Sequence, residues 1–167
     1  ERIELLHAPH YVVPLVAPCP VVTTIHDIIP LLYPPRQNTI AALMYLRTMM
    51  RTALRRSRAV IAVSRTTRHD LITSFGADPR RVTVVPNGVD PAYGIRPPAE
   101  ALDDLKARLR LRPPVLLVIA NDKPHKNVST VLRAFHRGVQ HHRLAGQLVI
   151  AGGFEPGDPI EERAHSL

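Results

Sequence analysis

The stretch that decides the fold is residues 114–138, PVLLVIANDKPHKNVSTVLRAFHRG. The apolar run Val115–Ile119 has the length of a strand, and a strand buried on both faces is typical of a parallel sheet between helix layers. A polar turn follows, and apolar residues then recur at helical spacing, with Asn127 as the predicted N-cap. This apolar stripe consists of Val128, Val131, Leu132, Phe135 and Val139. The stretch therefore predicts strand, turn and helix in that order.

The polar turn, residues 121–126, lies where α/β folds bind anions, because it follows a strand and precedes the amino end of a helix. The chain has 22 basic residues but only three lysines, and two of them, Lys123 and Lys126, are in this turn. A compact ammonium charge is well suited to a phosphate oxygen. The turn is a candidate diphosphate site, and the alternative is a solvated basic loop.

Composition places the chain among globular proteins, since 45% of its 167 residues are hydrophobic and 22% are charged. The net charge of +8 suits an anionic partner, whether a nucleotide, a membrane surface or a nucleic acid. The single Cys19 excludes an internal disulfide and agrees with a reducing compartment. No apolar run approaches the ~18 residues of a membrane span.

Strand-like runs alternate with helical patterns along the rest of the chain. Strands are predicted at 3–6, 21–25, 58–63, 82–85 and 147–151, and helices at 38–57, 65–75 and 99–109. Ser64 is the predicted N-cap of the helix at 65–75, and Gly76 is expected to end it in the left-handed conformation. The prolines after residue 89 are typical of an interdomain connection. The alternation predicts an α/β fold with Rossmann-like, doubly wound parallel sheets.

Two polar residues, His26 and Asp27, directly follow the strand at 21–25. A histidine at the carboxyl end of a buried strand occupies an active-site position in this architecture, and Asp27 is placed to orient it. The alternative is a satisfied loop contact. Gly152 and Gly153 follow the strand at 147–151, where glycines allow the backbone to approach a ligand closely.

The helix at 38–57 combines a broad apolar face with a basic stripe of Arg47, Arg51 and Arg55. Such a stripe is suited to the anionic headgroups of a membrane surface. The alternative is an ordinary solvated helix face.

Other classes of site have less support from the sequence. A zinc site would draw on residues scattered along the chain without the usual tight spacing in both halves: His7, His10, Cys19, His136, His141 and His142. Nucleic-acid binding is disfavoured because basic residues are dispersed and only 4% of residues are aromatic. A dinucleotide oxidoreductase is disfavoured because no G-x-G-x-x-G follows a strand.

Five sequence blocks together resemble the group 1 (family 4) retaining glycosyltransferases. They are TTIHDIIP at 23–30, AVIAVS at 59–64, VVPNGVD at 84–90, KPHKN at 123–127 and LVIAGG at 148–153. The resemblance implies two facing Rossmann-like domains, the GT-B arrangement, and is strongest to bacterial enzymes of cell-surface polysaccharide synthesis, many of them mannosyltransferases. On this basis residues 1–91 are the back half of an acceptor-side domain, 92–114 a linker and 115–167 the front half of a donor domain.

The resemblance also implies roles for individual residues. Lys126 matches the lysine that binds the donor diphosphate. Asn121 stands where many relatives have an arginine, so Lys123 or His125 would have to compensate. His26 matches a histidine near the transferring sugar carbon, with Asp27 in an orienting role at most. The remaining matches are loop residues, Asn87 and Gly88 at the domain crossover and Gly152 and Gly153 on the donor side.

The implied activity is retaining transfer of a sugar, with mannose a candidate, from a nucleotide-diphosphate donor to a hydroxyl of a glycan or lipid-linked glycan. Neither a metal nor another cofactor is expected, nor is nucleic acid. The expected location is cytoplasmic, with peripheral contact at the inner face of the membrane. The family's glycine-rich loop and glutamate pair have no match here, so we expect these 167 residues alone to be inactive. The alternative is a non-catalytic nucleotide-sugar-binding or partner-binding remnant.

Overall fold

The computed structural model of the protein describes residues 3–34, 39–121, 123–153, 160 and 164. Asn38, at the predicted start of the long helix, and Asp122, in the basic turn, lie outside the described residues. The chain forms two compact units, Glu1–Val89 and Asp90–Leu167. We call them the first and the second unit.

The first unit contains a four-stranded parallel sheet, which confirms the predicted α/β class. Its strands are β1 (Leu6–Ala8), β2 (Val21–Ile25), β3 (Ala59–Ala62) and β4 (Val82–Val84), adjacent in chain order. The first strand was predicted too early, at 3–6. Strand pairing begins only at Leu6, because its partner Val21 is the first residue of the neighbouring strand β2. Pro20, which precedes Val21, has no N–H with which to extend the pairing.

Three helices accompany this sheet: α1 (Ile29–Leu32), α2 (Ile40–Arg56) and α3 (Arg65–Phe75). The sequence did not predict α1, whose proline is tolerated because it lies in the first turn, where a backbone N–H is not needed. The predictions for α3 are confirmed. The Ser64 hydroxyl accepts a hydrogen bond of 3.0 Å from the Thr67 N–H, and Gly76 has a φ of 66°.

The apolar core of the first unit lies between the sheet and the carboxyl half of α2. Its largest fully buried side chains include Ile25, Met50, Val60 and Leu71. The predicted apolar face of α2 is buried only along its carboxyl half, since in the amino half Ile40 is 79% and Met44 66% exposed. Periodicity marks one face of a helix but does not show how far along that face the rest of the chain extends.

The second unit contains α4 (Ala99–Arg108), β5 (Val115–Ile119), α5 (Val128–His142) and β6 (Gln147–Ala151), with β5 and β6 parallel. The prediction that β5 is buried on both faces is wrong, since Leu117 is 60% and Ile119 78% exposed. The apolar cluster built on α5 includes Val128 and Leu132, and this small two-stranded sheet leaves most of β5 accessible. No described helix is long and apolar enough to cross a membrane.

Candidate functional site

The carboxyl ends of β1 to β4 meet at one edge of the first unit's sheet, because all four strands are parallel. His26 follows β2 at this edge, and its side chain is exposed. The ring Nε2 lies 3.1 Å from the backbone oxygen of Pro9, just after β1. A carbonyl oxygen only accepts hydrogen bonds, so this contact requires a proton on Nε2. In the neutral ring, Nδ1 then carries the lone pair.

The backbone of His26 is held from helix α3. The Thr67 hydroxyl donates to the His26 carbonyl oxygen at 3.0 Å. The Ser64 Oγ lies 2.9 Å from the Thr67 Oγ1 and, because that hydroxyl's proton is already used, must be the donor. The sequence analysis identified Ser64 as a cap but did not identify Thr67 as part of the site. The S-x-x-T spacing at an N-cap was the available signal.

The Asp27 carboxylate makes a different contact from the one that the sequence suggested. Its Oδ1 accepts a hydrogen bond of 2.9 Å from the Ile29 N–H, which stabilises the turn into α1. In the part of the chain that is described, no hydrogen bond joins this carboxylate to the His26 ring. The two residues are thus neighbours in sequence whose side chains contact different backbone groups.

The other loop residues predicted for the first unit are accessible. Asn87 and Gly88 follow β4 and are exposed. A Cβ placed on Gly88 would meet no heavy atom within 4 Å. His7, one of the histidines considered for zinc, has its Nε2 2.9 Å from the Thr24 hydroxyl. Among residues 3–34, 39–121, 123–153, 160 and 164, no group of three or more metal-ligating side chains occurs.

The second candidate site is the turn after β5. Lys123 precedes a short 3₁₀ turn, Pro124–Lys126, and both lysine side chains are exposed. Neither ammonium group forms an ion pair with an acid in the described part of the chain. At the start of this turn, the Asn121 Oδ1 is buried without a hydrogen-bond partner among the described residues. The described part of the turn thus combines two exposed ammonium groups with a polar atom that has no partner there.

Asn127 occupies the predicted N-cap position of α5, but its side chain does not bind the free N–H groups of the helix. It adopts a left-handed conformation with φ 51°, and its Oδ1 accepts a hydrogen bond of 2.7 Å from the Thr130 hydroxyl. No side-chain hydrogen bond from Asn127 caps the helix. The preceding 3₁₀ turn changes the direction of the chain before α5 begins, and spacing alone does not reveal such a turn.

Gly152 and Gly153 lie at the same sheet edge as Asn121. Ala151 pairs with Ile119, so the segments that follow β5 and β6 leave the sheet at the same level. A Cβ on Gly153 would meet no heavy atom within 4 Å. The structure therefore brings the predicted donor-side residues of the second unit, Asn121, the two lysines and the two glycines, to one sheet edge.

Comparison with known proteins defines the class as a glycosyltransferase. Residues 1–93 match the model of Glycosyltransferase Family 4. This match spans more than half of the chain, which therefore belongs to glycosyltransferase family 4, and the family-level prediction from the sequence is confirmed.

Among solved structures, the chain is similar to a glycosyltransferase from Rickettsia africae ESF-5, with 16% sequence identity and a TM-score of 0.49. The alignment covers 97% of this chain and 49% of the other, so the chain spans about half the length of that protein. A comparison with curated protein sequences finds no match.

Proposed function

We propose that this family 4 glycosyltransferase transfers a sugar, with mannose a candidate, from a nucleoside diphosphate donor to a hydroxyl acceptor with retention of configuration. The observation that carries the proposal is the turn after β5. Lys123 and Lys126 are exposed there without an acidic partner among the described residues, next to the unsatisfied Oδ1 of Asn121.

The charge of this turn suits the chemistry of the leaving group. Breaking the bond between sugar and diphosphate releases negative charge on a phosphate oxygen, and fixed cations stabilise that charge as it develops. The Lys126 ammonium is the proposed principal contact, with Lys123 beside it. The Asn121 amide N–H group is a suitable donor to a phosphate oxygen, whereas its Oδ1 needs a hydroxyl or N–H of the ligand. No metal is needed where two ammonium groups supply the positive charge.

His26 is the proposed residue beside the transferring sugar. With Nε2 hydrogen-bonded to Pro9, its Nδ1 is available to accept a hydrogen bond from a substrate hydroxyl. We assign no covalent nucleophile, and the sugar carbon is expected to develop oxocarbenium character as the diphosphate leaves. Asp27 acts as a positioning residue through the turn at Ile29. The exposed loop residues, Asn87 and Gly88 in the first unit and Gly152 and Gly153 in the second, are proposed to border bound substrate.

Peripheral contact with an anionic membrane is the proposed role of the basic stripe on α2. Arg47, Arg51 and Arg55 are all exposed. The Arg47 guanidinium also lies over the Phe75 ring of α3, 5.8 Å from its centroid. The exposed apolar residues Ile40 and Met44 at the amino half of the same helix add surface for the lipid interface. We therefore propose that the enzyme acts in the cytoplasm, at the inner face of the membrane, with a glycan or lipid-linked glycan as acceptor.

The second candidate function is a non-catalytic protein that binds a nucleotide sugar or a partner. It rests on the same exposed lysines and unsatisfied Asn121 Oδ1, because binding a diphosphate requires no catalytic group. The two functions share the diphosphate site and differ in turnover. Hydrolysis or transfer of a nucleotide sugar by the full-length protein supports the enzyme, and tight binding without turnover supports the binding protein.

The test of the diphosphate site is calorimetric titration of UDP, GDP and ADP into the protein, with and without EDTA. We expect one nucleotide to bind, EDTA to leave its affinity unchanged, and Lys126→Ala to weaken binding by about tenfold or more, equivalent to ~1.4 kcal/mol. The matched control is Lys106→Ala, which removes the same charge from the exposed ion pair with Asp103, where the two charged atoms are 2.8 Å apart. Equal affinity of the Lys126→Ala and Lys106→Ala variants would overturn the site.

A further inference from the structure

One cavity of the first unit lies at the amino edge of its sheet, opposite the edge that carries His26. Its volume is about 690 Å³. Val21, Arg58 and Arg81 line it, and these residues stand at or just before the starts of β2, β3 and β4. The remaining lining residues come from two segments, one at the end of α2 with two arginines and one before β2 that is mostly apolar: Arg55, Arg56 and Ser57, and Pro14, Leu15, Ala17, Cys19 and Pro20.

One of the four arginines in this cavity has a structural role. The Arg81 guanidinium donates to the backbone oxygens of Leu54, at 3.0 Å, and Ser57. These carbonyl groups belong to the last turn and the C-cap of α2, where a cation is favoured by the helix dipole. Arg81 therefore already satisfies the carboxyl end of this helix.

The other three, Arg55, Arg56 and Arg58, are exposed and make no hydrogen bond or ion pair with the described residues. The acid nearest to Arg81 in sequence, Asp78, is bound by Arg80, with 3.1 Å between the charged atoms. The hydrogen bond from Arg80 holds the pKa of Asp78 below its usual value. None of the described residues that line the cavity is acidic, so no carboxylate in its wall offsets the charges of Arg55, Arg56 and Arg58.

Several guanidinium groups around one cavity repel each other unless an anion lies among them. A guanidinium is a planar fork of N–H donors that matches the oxygens of a phosphate. The apolar wall made by Pro14, Leu15 and Pro20 would contact the part of the ligand that carries no charge. A ligand that joins a phosphate group to a less polar part would therefore match both the arginines and the apolar residues of this cavity.

We propose that this cavity, which we call the arginine cavity, binds a phosphate group, supplied either by a soluble phosphate compound or by a lipid headgroup. It is separate from the diphosphate site proposed at Lys126, which belongs to the second unit. Its existence does not depend on the donor or on sugar transfer.

The chain contains its own reporter for this cavity, since Cys19 is the only cysteine and its half-buried side chain lines the cavity wall. The experiment measures the rate of Cys19 alkylation by iodoacetamide in phosphate and in chloride at equal pH and ionic strength. We expect saturating phosphate to slow alkylation several-fold. Equal rates in phosphate and chloride for the unmodified protein, together with equal rates on anionic and neutral phospholipid vesicles, would overturn the proposal.

The double variant Arg56→Gln, Arg58→Gln should lose this protection while keeping the far-ultraviolet circular dichroism of the unmodified protein, since both side chains are exposed. The matched control is Arg96→Gln, Arg108→Gln, which removes two exposed charges from the second unit. Protection that persists in the first variant, or that disappears in both, would contradict the assignment to these arginines.

Vesicles distinguish the two sources of phosphate. Slower alkylation with phosphatidylglycerol vesicles than with phosphatidylcholine vesicles, beyond the effect of soluble phosphate, supports a lipid headgroup. Protection by soluble phosphate with no difference between the vesicles supports a soluble ligand. Absence of protection in every arm would refute the proposal.

Discussion

The Thr67 hydroxyl donates a hydrogen bond of 3.0 Å to the backbone oxygen of His26, and so ties the start of helix α3 to the residue after β2. Thr67 is buried, and its Oγ1 also contacts the Ser64 Oγ at 2.9 Å. A partly buried chain of hydrogen bonds therefore fixes the backbone from which the candidate catalytic side chain extends.

Thr67→Val should lower the free energy of unfolding by about 1–3 kcal/mol, because it keeps the shape of the side chain but leaves buried polar groups without a partner. Chemical denaturation measures this change. Thr66→Val is the matched control, since the neighbouring Thr66 is exposed and its replacement should change stability by less than ~0.5 kcal/mol. Similar losses in the two variants would show that the hydrogen bond to His26 is unimportant.

The contact with Pro9 predicts the tautomer of His26. Nitrogen NMR of the neutral ring should show the proton on Nε2, because the Pro9 carbonyl accepts from that atom. His7 is the internal comparison, as its Nε2 faces a threonine hydroxyl that can donate or accept. Detection of a proton on Nδ1 of neutral His26 would contradict the described geometry.

Replacement of His26 tests its proposed role near the sugar. In the full-length enzyme, His26→Ala should lower kcat at least tenfold, while donor affinity changes by less than threefold, because the side chain is expected to act during transfer rather than in diphosphate binding. Steady-state kinetics and nucleotide titration measure the two effects. Equal losses in turnover and affinity would indicate that His26 only supports the pocket.

Asn121→Ala should weaken nucleotide diphosphate binding without lowering the stability of the free protein. The Asn121 Oδ1 is buried without a partner among the described residues, and such an atom costs about 1–3 kcal/mol until a ligand supplies a donor. Calorimetry and thermal unfolding in the absence of nucleotide measure the two quantities. A loss of more than ~1 kcal/mol in the free protein would mean that the side chain is already satisfied.

A second pair of hydroxyl groups, one on β2 and one at the end of α2, is buried in the first unit. The Thr23 Oγ1 and the Ser57 Oγ lie 2.5 Å apart, and both residues are buried. Ser57→Ala should cost about 1–3 kcal/mol, because it leaves the Thr23 hydroxyl unpaired, whereas the double variant Thr23→Val, Ser57→Ala should recover part of that loss. Additive losses in the denaturation experiment would contradict an interaction between the two hydroxyls.

Local sequence patterns were sufficient to predict the helices and strands that are specified by residues close together in the chain. The bounds of β2, α3, β5 and β6 agree with the predicted ranges 21–25, 65–75, 115–119 and 147–151. Runs of β-branched or aliphatic residues, together with Ser64 and Gly76 at the ends of α3, specify these elements through backbone preference and hydrogen bonding close in sequence. The five sequence blocks together were likewise enough to predict the family that the comparison confirms.

Contacts between distant parts of the chain decided the features of the fold and of the site that the sequence did not predict. Strand β1 begins where β2 offers a partner, and β5 is exposed because the small sheet of the second unit leaves it accessible. The proton position on His26 depends on a carbonyl oxygen seventeen residues earlier. The arginine cavity exists only because folding gathers residues from three separate segments at one sheet edge. Hydrogen bonds and charges act through space, so the sequence determined which groups were present and the tertiary structure determined which of them meet.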